Sequence, residues 1–303
     1  MYGDTELGTE LIPGVAPKNL DRIVLRANFN DRLGAYNPSS SDLRDEVLRK
    51  LHHDMGAVVS SGTWCLLYVD GEARGLYNVV ERIDEGFLKR HFGGKDWDMI
   101  KTGEAVVCGK RDDWDALKKF LLKADLSSPA TFEKLKEWVD VPSFTAYMVL
   151  NLWSQNEDWP QNNWYAARER REGAKWIFLC WDAEWGMGHT PTGWAADSFK
   201  TLFDKTGVIR GLLFALFKDP EYRKSFRADV ERYLSGALSP ENVAKRVNEE
   251  EARVAPFMPL ELRVNAQGFS ERDWRNNVEI LRVFGANRKA KFLQLTERAL
   301  EKP

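Results

Sequence analysis

The chain has 303 residues, with 44 Lys and Arg against 46 Asp and Glu, a formal net charge of -2 and 43% hydrophobic residues. This composition is typical of a globular protein with one large or two modest domains. The near balance of charge argues against nucleic acid as the main partner, because phosphate binding needs an excess of basic residues.

The sequence predicts a soluble protein without a membrane span. The longest uncharged stretches, such as residues 55–69, are shorter than the ~20 apolar residues of a spanning helix and contain Gly and Ser. Residues 1–19 carry acidic side chains and lack an apolar core, so we expect no secretory signal in this chain. Cys65, Cys108 and Cys180 lie in apolar or strand-like contexts, which predicts buried thiols rather than disulfides or a zinc site.

The first part of the chain mixes strand and helix patterns. Residues 23–26 predict a strand, and residues 42–55 place apolar side chains at helical spacing. Two apolar runs, 64–69 and 76–80, flank an Asp70-Gly71 turn and predict a β-hairpin over 64–80. Both runs are apolar on both faces, so we expect the two strands inside a sheet that is covered from each side.

Beyond residue 84 the pattern becomes mainly helical, which predicts a domain boundary there. Residues 1–84 then form a small α+β part and residues 85–303 a larger, mainly helical part. The predicted helices cover 85–91, 113–123, 132–139 and 142–153. Further helices are expected to start near Asp219, Ser239 and Ser270.

Polar residues concentrate where the helical pattern is interrupted. Asp158 and Asn163 lie in the segment 156–163, and a buried strand predicted over 175–181 ends just before Asp182 and Glu184. Phosphoryl transfer needs a carboxylate that orients the attacking hydroxyl, together with carboxylate and amide oxygens that hold divalent metals against phosphates. Protein kinases separate their catalytic Asp and metal-binding Asn as D-x-x-x-x-N, which is the separation of Asp158 and Asn163. Asp and Asn also shape ordinary turns, so a purely structural loop remains an alternative.

At these residues the sequence resembles the spore-coat protein CotH kinases, which are atypical protein kinases with a kinase-like fold. The resemblance runs in one order over most of the chain. Its blocks are Leu25-Arg26, Asn30-Asp31, 43–45, 75–84, 156–163 and 175–188. It implies an α+β fold with a small α+β N-lobe, a larger mainly helical C-lobe, a catalytic loop at 156–163 and a metal-binding segment at 182–188.

The resemblance also implies an activity. The expected reaction is the transfer of the γ-phosphate of ATP to Ser or Thr of a protein substrate, with Mg²⁺ or Mn²⁺ as cofactor. Asp158 would be the catalytic Asp and Asp182 the metal-binding Asp, with Asn163 and Glu184 as further metal ligands.

Glu81 and Arg82 follow the hairpin at the point where a kinase chain crosses between its lobes. We therefore expect this pair to contact the nucleotide. Structural hydrogen bonds at the start of a helix are an equal alternative for it.

Two departures from the family pattern bear on activity. Glu184 stands where the family usually shows a second Asp, and its side chain is one methylene longer. The family also has N-terminal strands that supply a glycine-containing phosphate loop and a basic residue, and residues 1–22 contain no replacement for them. We therefore expect an N-lobe that is shortened at its start, with Lys101 as a conceivable substitute cation.

Two other classes of function stay open. A catalytically inactive CotH-like structural or partner-binding protein, in a spore coat or at a cell surface, would keep the fold without the phosphate-clamping strands. A carbohydrate-binding module would require several tryptophans on one open face, whereas most large aromatic side chains lie in cores. The tryptophans in question are Trp159, Trp164, Trp185 and Trp194.

Overall fold

The computed structural model describes residues 10–15, 20, 22–35, 37–125, 128–188 and 192–301. Its first sheet is antiparallel, with the strand order β1–β3–β2. The strands are β1 (Ile23–Arg26), β2 (Gly62–Val69) and β3 (Glu72–Glu81). The predicted hairpin is confirmed, because Asp70 and Gly71 connect β2 and β3 with φ values of 51° and 81°, as a two-residue hairpin turn requires.

The expectation that both hairpin strands are covered from each side is wrong for β2. The central strand β3 is largely buried from Gly75 onwards, but β2 lies at the edge of the sheet and buries only Trp64 fully. At its end, Tyr68 and Val69 are 55% and 43% exposed. An edge strand has a neighbour on one side only, so apolar residues on it are only partly covered.

Helix α1 (Arg44–Asp54) follows the first strand, in agreement with the predicted helix. The remaining helices lie beyond residue 84. They are α2 (Glu85–Phe92), α3 (Asp112–Lys123), α4 (Pro129–Trp138), α5 (Val141–Ser154), α6 (Ser198–Phe203), α7 (Val208–Phe217), α8 (Pro220–Ser235), α9 (Pro240–Val254), α10 (Met258–Val264) and α11 (Glu271–Glu301). In the ranges that the structure describes, we find no helix with the length and hydrophobicity needed to cross a bilayer.

Side-chain caps explain why several helices start where the sequence predicts. Asp219 accepts the main-chain N–H of Tyr222 at 2.7 Å at the start of α8, and Ser239 accepts that of Asn242 at 3.2 Å at the start of α9. Asp140 caps α5 in the same way. Each cap satisfies an N–H that has no partner inside its helix.

A second antiparallel sheet lies within the helical part, with the strand order β5–β4–β6–β7. Its strands are β4 (Trp97–Lys101), β5 (Ala105–Cys108), β6 (Trp164–Glu169) and β7 (Ile177–Cys180). The sequence predicted only β7, as a longer buried strand. Strands β4 and β5 are too short for alternation to stand out, and β6 contains Ala-Ala-Arg-Glu, which favours a helix locally. The second part is therefore helical with a four-stranded sheet.

Cysteine and tryptophan side chains are mainly internal. All three thiols are free, with Cys180 buried and the other two half-buried. Trp159 and Trp164 are buried in the core, with Trp164 stacked on Trp114 at a centroid distance of 5.6 Å. Trp185 and Trp194 are half-buried, so the four tryptophans considered for sugar binding do not form one open face.

Two buried carboxylates attach the first 84 residues to the C-terminal helices. Glu250 of α9 accepts the indole N–H of Trp64 at 2.8 Å and pairs with Lys50 of α1. Glu261 of α10 accepts the main-chain N–H of Leu76 at 2.5 Å. Helix α1 therefore packs between the first sheet and the helical part.

The two adjacent histidines of α1, His52 and His53, differ in burial. His52 is buried, and neither of its ring nitrogens has a hydrogen-bond partner among the described residues, whereas His53 is exposed. Burial, with a smaller effect of His53, lowers the pKa of His52 from 6.5 to about 3. The folded protein therefore keeps this imidazole neutral.

We expect His52 to make the folded protein sensitive to mild acid. Between pH 6.5 and pH 3 the unfolded chain binds a proton that the folded chain excludes, so stability falls as the pH drops through this window. Between pH 7 and pH 5 the loss should be about 2 kcal/mol, measured by urea unfolding at both pH values. His52→Leu should remove this loss and the exposed-site control His53→Gln should retain it. An unchanged pH dependence in His52→Leu would contradict the prediction.

Candidate functional site

Arg26 ends strand β1, and its guanidinium lies at the centre of a buried ion network. Its Nη2 donates to Oδ1 of Asp182 and to Oε1 of Glu184, each at 2.6 Å. Its Nε lies 3.4 Å from Oδ2 of Asp45, and the ring of Trp181 lies 4.6 Å from the guanidinium carbon. The network thus joins the first strand to the segment that follows β7.

The positive charge of Arg26 does not fully offset the burial of the carboxylates Asp182 and Glu184. Burial alone would lower the pKa of Arg26, but the charges of Asp45, Asp182 and Glu184 outweigh burial and raise it. Burial raises the pKa of Asp182 although Arg26 opposes the shift. Burial likewise raises the pKa of Glu184 to about 7, opposed by Arg26 and reinforced by Asp182. A further cation would therefore be stabilised near Asp182 and Glu184.

Asp45 connects α1 to the same network. Its Oδ1 accepts the main-chain N–H of Ala183 at 2.8 Å, and its Oδ2 accepts Nε of Arg49 at 3.1 Å. Burial opposes the ionisation of Asp45, but the charges of Arg26 and Arg49 outweigh it and lower the pKa. Ionised Asp45 therefore fixes the backbone beside Asp182 against α1.

Glu184 uses its two oxygens for different partners. While Oε1 binds Arg26, Oε2 accepts the main-chain N–H of Asn30 at 2.9 Å. Asn30 lies in the loop that follows β1. The length of Glu184 therefore lets it hold both the end of β1 and the next loop.

Asp158 lies in the loop between α5 and β6. Its Oδ1 accepts a hydrogen bond from Nδ2 of Asn162 at 2.7 Å, and its Oδ2 accepts one from Nδ2 of Asn163 at 3.0 Å. The peptide bond between Trp159 and Pro160 is cis. The fold thus brings Asp158 and Asn163, two of the predicted site residues, into direct contact.

The catalytic-loop candidate and the segment 182–188 are joined through the main chain. The N–H of Glu157 donates to the carbonyl of Trp185 at 3.5 Å, and the N–H of Met187 donates at 2.6 Å to the carbonyl of Ser154, the last residue of α5. The charge of Asp158 is also one cause of the raised pKa of Asp182, after burial and the charge of Asp45. The loop that carries Asp158 and the segment that carries Asp182 are therefore in contact through the main chain.

Three residues of the site adopt left-handed backbone conformations. The φ values are 64° at Asn163, 57° at Asp182 and 54° at Met187. Non-glycine residues rarely occupy this region, and such conformations persist where the surroundings impose them, often at functional sites. Each of the three makes one of the hydrogen bonds described above, which holds it in place.

An open cleft lies beside Asp158. Its volume is about 480 Å³, and its walls include Asn30, Glu157, Asp158 and Trp185. Burial raises the pKa of Glu157, while Lys205 opposes the shift. The cleft is of ligand-binding size and has acidic walls.

Glu81 and Arg82, at the end of β3, differ in accessibility. The Glu81 carboxylate is buried, accepts the main-chain N–H of Ser61 at 3.0 Å and lies 3.1 Å from Nε2 of His91. Arg82 is exposed, and its charge acts on Tyr165, which packs against Trp181. The Glu81 side chain thus makes structural contacts, whereas the Arg82 side chain is exposed to solvent.

The family model described as CotH kinase protein matches residues 8–292. The chain belongs to this CotH kinase family. The match covers nearly the whole chain and confirms the resemblance drawn from the sequence blocks. A search of curated proteins gives no significant match. The two antiparallel sheets and many helices are compatible with the kinase-like fold of this family.

The donor set expected to hold a metal fits a hard divalent cation. It consists of oxygens from Asp182, Glu184 and Asn163, which are the ligand types that Mg²⁺ accepts. The raised pKa values of the two carboxyl groups also favour an added cation. Within the described ranges, no cluster of three or more His, Cys, Asp or Glu side chains has metal-site geometry. A cation here would therefore depend on the Asn163 amide and on water or phosphate oxygens.

Sequence reasoning missed the contact of Arg26 with Asp182 and Glu184. It sought a basic residue upstream of Arg22 and considered Lys101, which is exposed at the end of β4. The available signal was an arginine that closes an otherwise apolar strand, Ile-Val-Leu-Arg. Burying a charged residue is costly unless it is paired or hydrogen-bonded.

Proposed function

We propose that this CotH kinase family member transfers the γ-phosphate of ATP to Ser or Thr of a protein substrate in a metal-dependent reaction. The observation that carries the proposal is the contact of buried Arg26 with Asp182, next to a cleft that Asp158 lines. A fixed cation, a carboxylate beside it and an accessible second carboxylate are the groups that phosphoryl transfer uses.

Asp158 would accept the proton of the substrate hydroxyl and orient its oxygen. The hydrogen bonds from Asn162 and Asn163 hold this carboxylate in a fixed direction, which reduces the cost of orienting it during reaction. The adjacent cleft would receive the acceptor side chain.

Asp182, Asn163 and Glu184 would hold Mg²⁺ or Mn²⁺. When bound, the metal neutralises phosphate charge and so favours attack on the γ-phosphate. Arg26 would bind phosphate oxygens with the donors of its planar guanidinium. Arg82 would contact the nucleotide from the end of β3, while Glu81 holds that turn through Ser61 and His91.

We expect ATP with Mg²⁺ or Mn²⁺ to raise the thermal unfolding midpoint by a few degrees. Saturation at 100 times the dissociation constant adds about 2.7 kcal/mol. Asp182→Ala should abolish the metal-dependent shift, and the exposed-site control Asp204→Ala should keep it. The absence of any shift in the wild-type chain would contradict the proposed nucleotide site.

A catalytically inactive structural or partner-binding role, in a spore coat or at a surface, is the second candidate. It is favoured by the contact of Arg26 with both Asp182 and Glu184, because each of these carboxylates already has a cationic partner without a ligand. In that case neither nucleotide nor metal would shift the midpoint, while the fold would remain intact.

A further inference from the structure

Arg288, in the middle of α11, is a fully buried cation without a carboxylate partner among the described residues. Burial lowers its pKa to about 9. The rings of Phe284 and Phe292, one turn to either side, lie 5.6 and 5.5 Å from its guanidinium carbon. A buried charge of this kind is costly unless its donors are all bonded.

Each of the five N–H donors of this guanidinium has an acceptor. The bonds run from Nε to Trp153 O at 2.8 Å, from Nη1 to Trp194 O and Ala196 O at 2.7 Å each, and from Nη2 to Leu152 O and Ser198 Oγ at 3.0 Å each. Only arginine offers five donors in one plane. Lysine, with three donors at one nitrogen, could not reproduce this pattern.

The acceptors come from two separate stretches of the chain. Leu152 and Trp153 lie in the last turn of α5, just before the loop that carries Asp158. The carbonyl of Leu152 also accepts the main-chain N–H of Gln155 at 3.3 Å, and a cation is favoured at this negative end of the helix dipole. The other acceptors, residues 194–198, follow the segment that carries Asp182.

We propose that Arg288 is a positioning residue that fixes the catalytic loop relative to the segment following Asp182. It acts through the end of α5 and through residues 194–198, and it does not touch the reacting groups. An effect of Arg288 on catalysis rests on the proposed kinase function, whereas its positioning of the two segments does not. A residue that only filled the core would be replaced well by an apolar side chain, since a buried ion seldom adds stability over good apolar packing.

Hydrogen exchange tests the positioning without relying on activity. In Arg288→Lys we expect amide exchange in 155–163 and 194–198 to rise by about tenfold or more, because local opening there becomes easier. Leu281→Ala is the control: it destabilises the same helix through a buried residue that makes none of these bonds. It should raise exchange without selecting these two stretches. Equal patterns in both variants would overturn the proposal.

A milder variant covers the case in which Arg288→Lys fails to fold. Ser198→Ala removes one acceptor, and exchange should rise selectively in 194–203; unchanged exchange there would also overturn the proposal. Where the wild type transfers phosphate, Arg288→Lys should lower kcat and leave the KM for ATP unchanged, because Arg288 lies outside the nucleotide site. If the wild type transfers none, the exchange result still decides the role of Arg288.

Discussion

Asp158→Asn should lower phosphate transfer by about 10²–10⁴-fold, the usual effect of losing a general base. The variant keeps the size of the side chain but cannot take up the substrate proton. Nucleotide affinity should be unchanged, because Arg26 and Asp182, rather than Asp158, would hold the phosphates and metal. The measurement is the initial rate with labelled ATP and a protein substrate, beside the thermal shift with ATP and Mg²⁺.

The control for this result is Asp204→Asn, which removes one carboxylate charge at an exposed position. It should retain the wild-type rate and thermal shift. If Asp158→Asn transferred phosphate at the wild-type rate, Asp158 would not be the base. If the variant instead lost nucleotide binding, Asp158 would belong with the phosphate-holding residues.

Arg26→Met should destabilise the protein by about 3–5 kcal/mol, because it leaves the buried carboxylates of Asp45 and Glu184 and the half-buried carboxylate of Asp182 without their shared cation. It should also abolish stabilisation by ATP. Arg26→Lys should be intermediate, since lysine keeps the charge but cannot form the same fork. Urea unfolding at pH 7 measures the stability differences.

Arg22→Met is the matched control, since Arg22 is an exposed arginine that forms a surface ion pair with Asp84 at 3.4 Å. Such a surface pair contributes little, so its loss should change stability by about 0.5 kcal/mol or less. Adding Glu184→Gln to Arg26→Met should recover part of the lost stability, because one unpaired carboxylate is removed. Equal urea midpoints for Arg26→Met and the wild type would disprove the network as described.

Much of the fold could be predicted from local patterns in the sequence. Helical spacing predicted α1, and Asp219 and Ser239 marked helix starts because caps act within one turn. The Asp70-Gly71 turn predicted the hairpin for the same local reason. Strands β4 and β5 were missed because they are too short for an alternating pattern to stand out, and β6 was missed because its pairing with β4 is distant in sequence.

In the candidate site, too, features within one short segment could be predicted and contacts between distant segments could not. Asp158 and Asn163 are five residues apart, so their D-x-x-x-x-N separation could be recognised within one short segment, and the fold brings the two side chains into contact. The contact of Arg26 with Asp182 spans 156 residues and exists only after the sheet and α1 are in place. The pattern of residues in a single sequence does not predict a contact between residues so far apart.

Glu250 and Glu261 limit how the molecule can move. A hinge rotation that opened the cleft would separate Lys50 from Glu250 and the N–H of Leu76 from Glu261. The rotation would therefore break two contacts of buried carboxylates at once, and separating a buried charge from its partner costs free energy. We therefore expect ligands to enter by displacement of loops at the cleft mouth, unlike enzymes whose halves close around their substrate as rigid bodies.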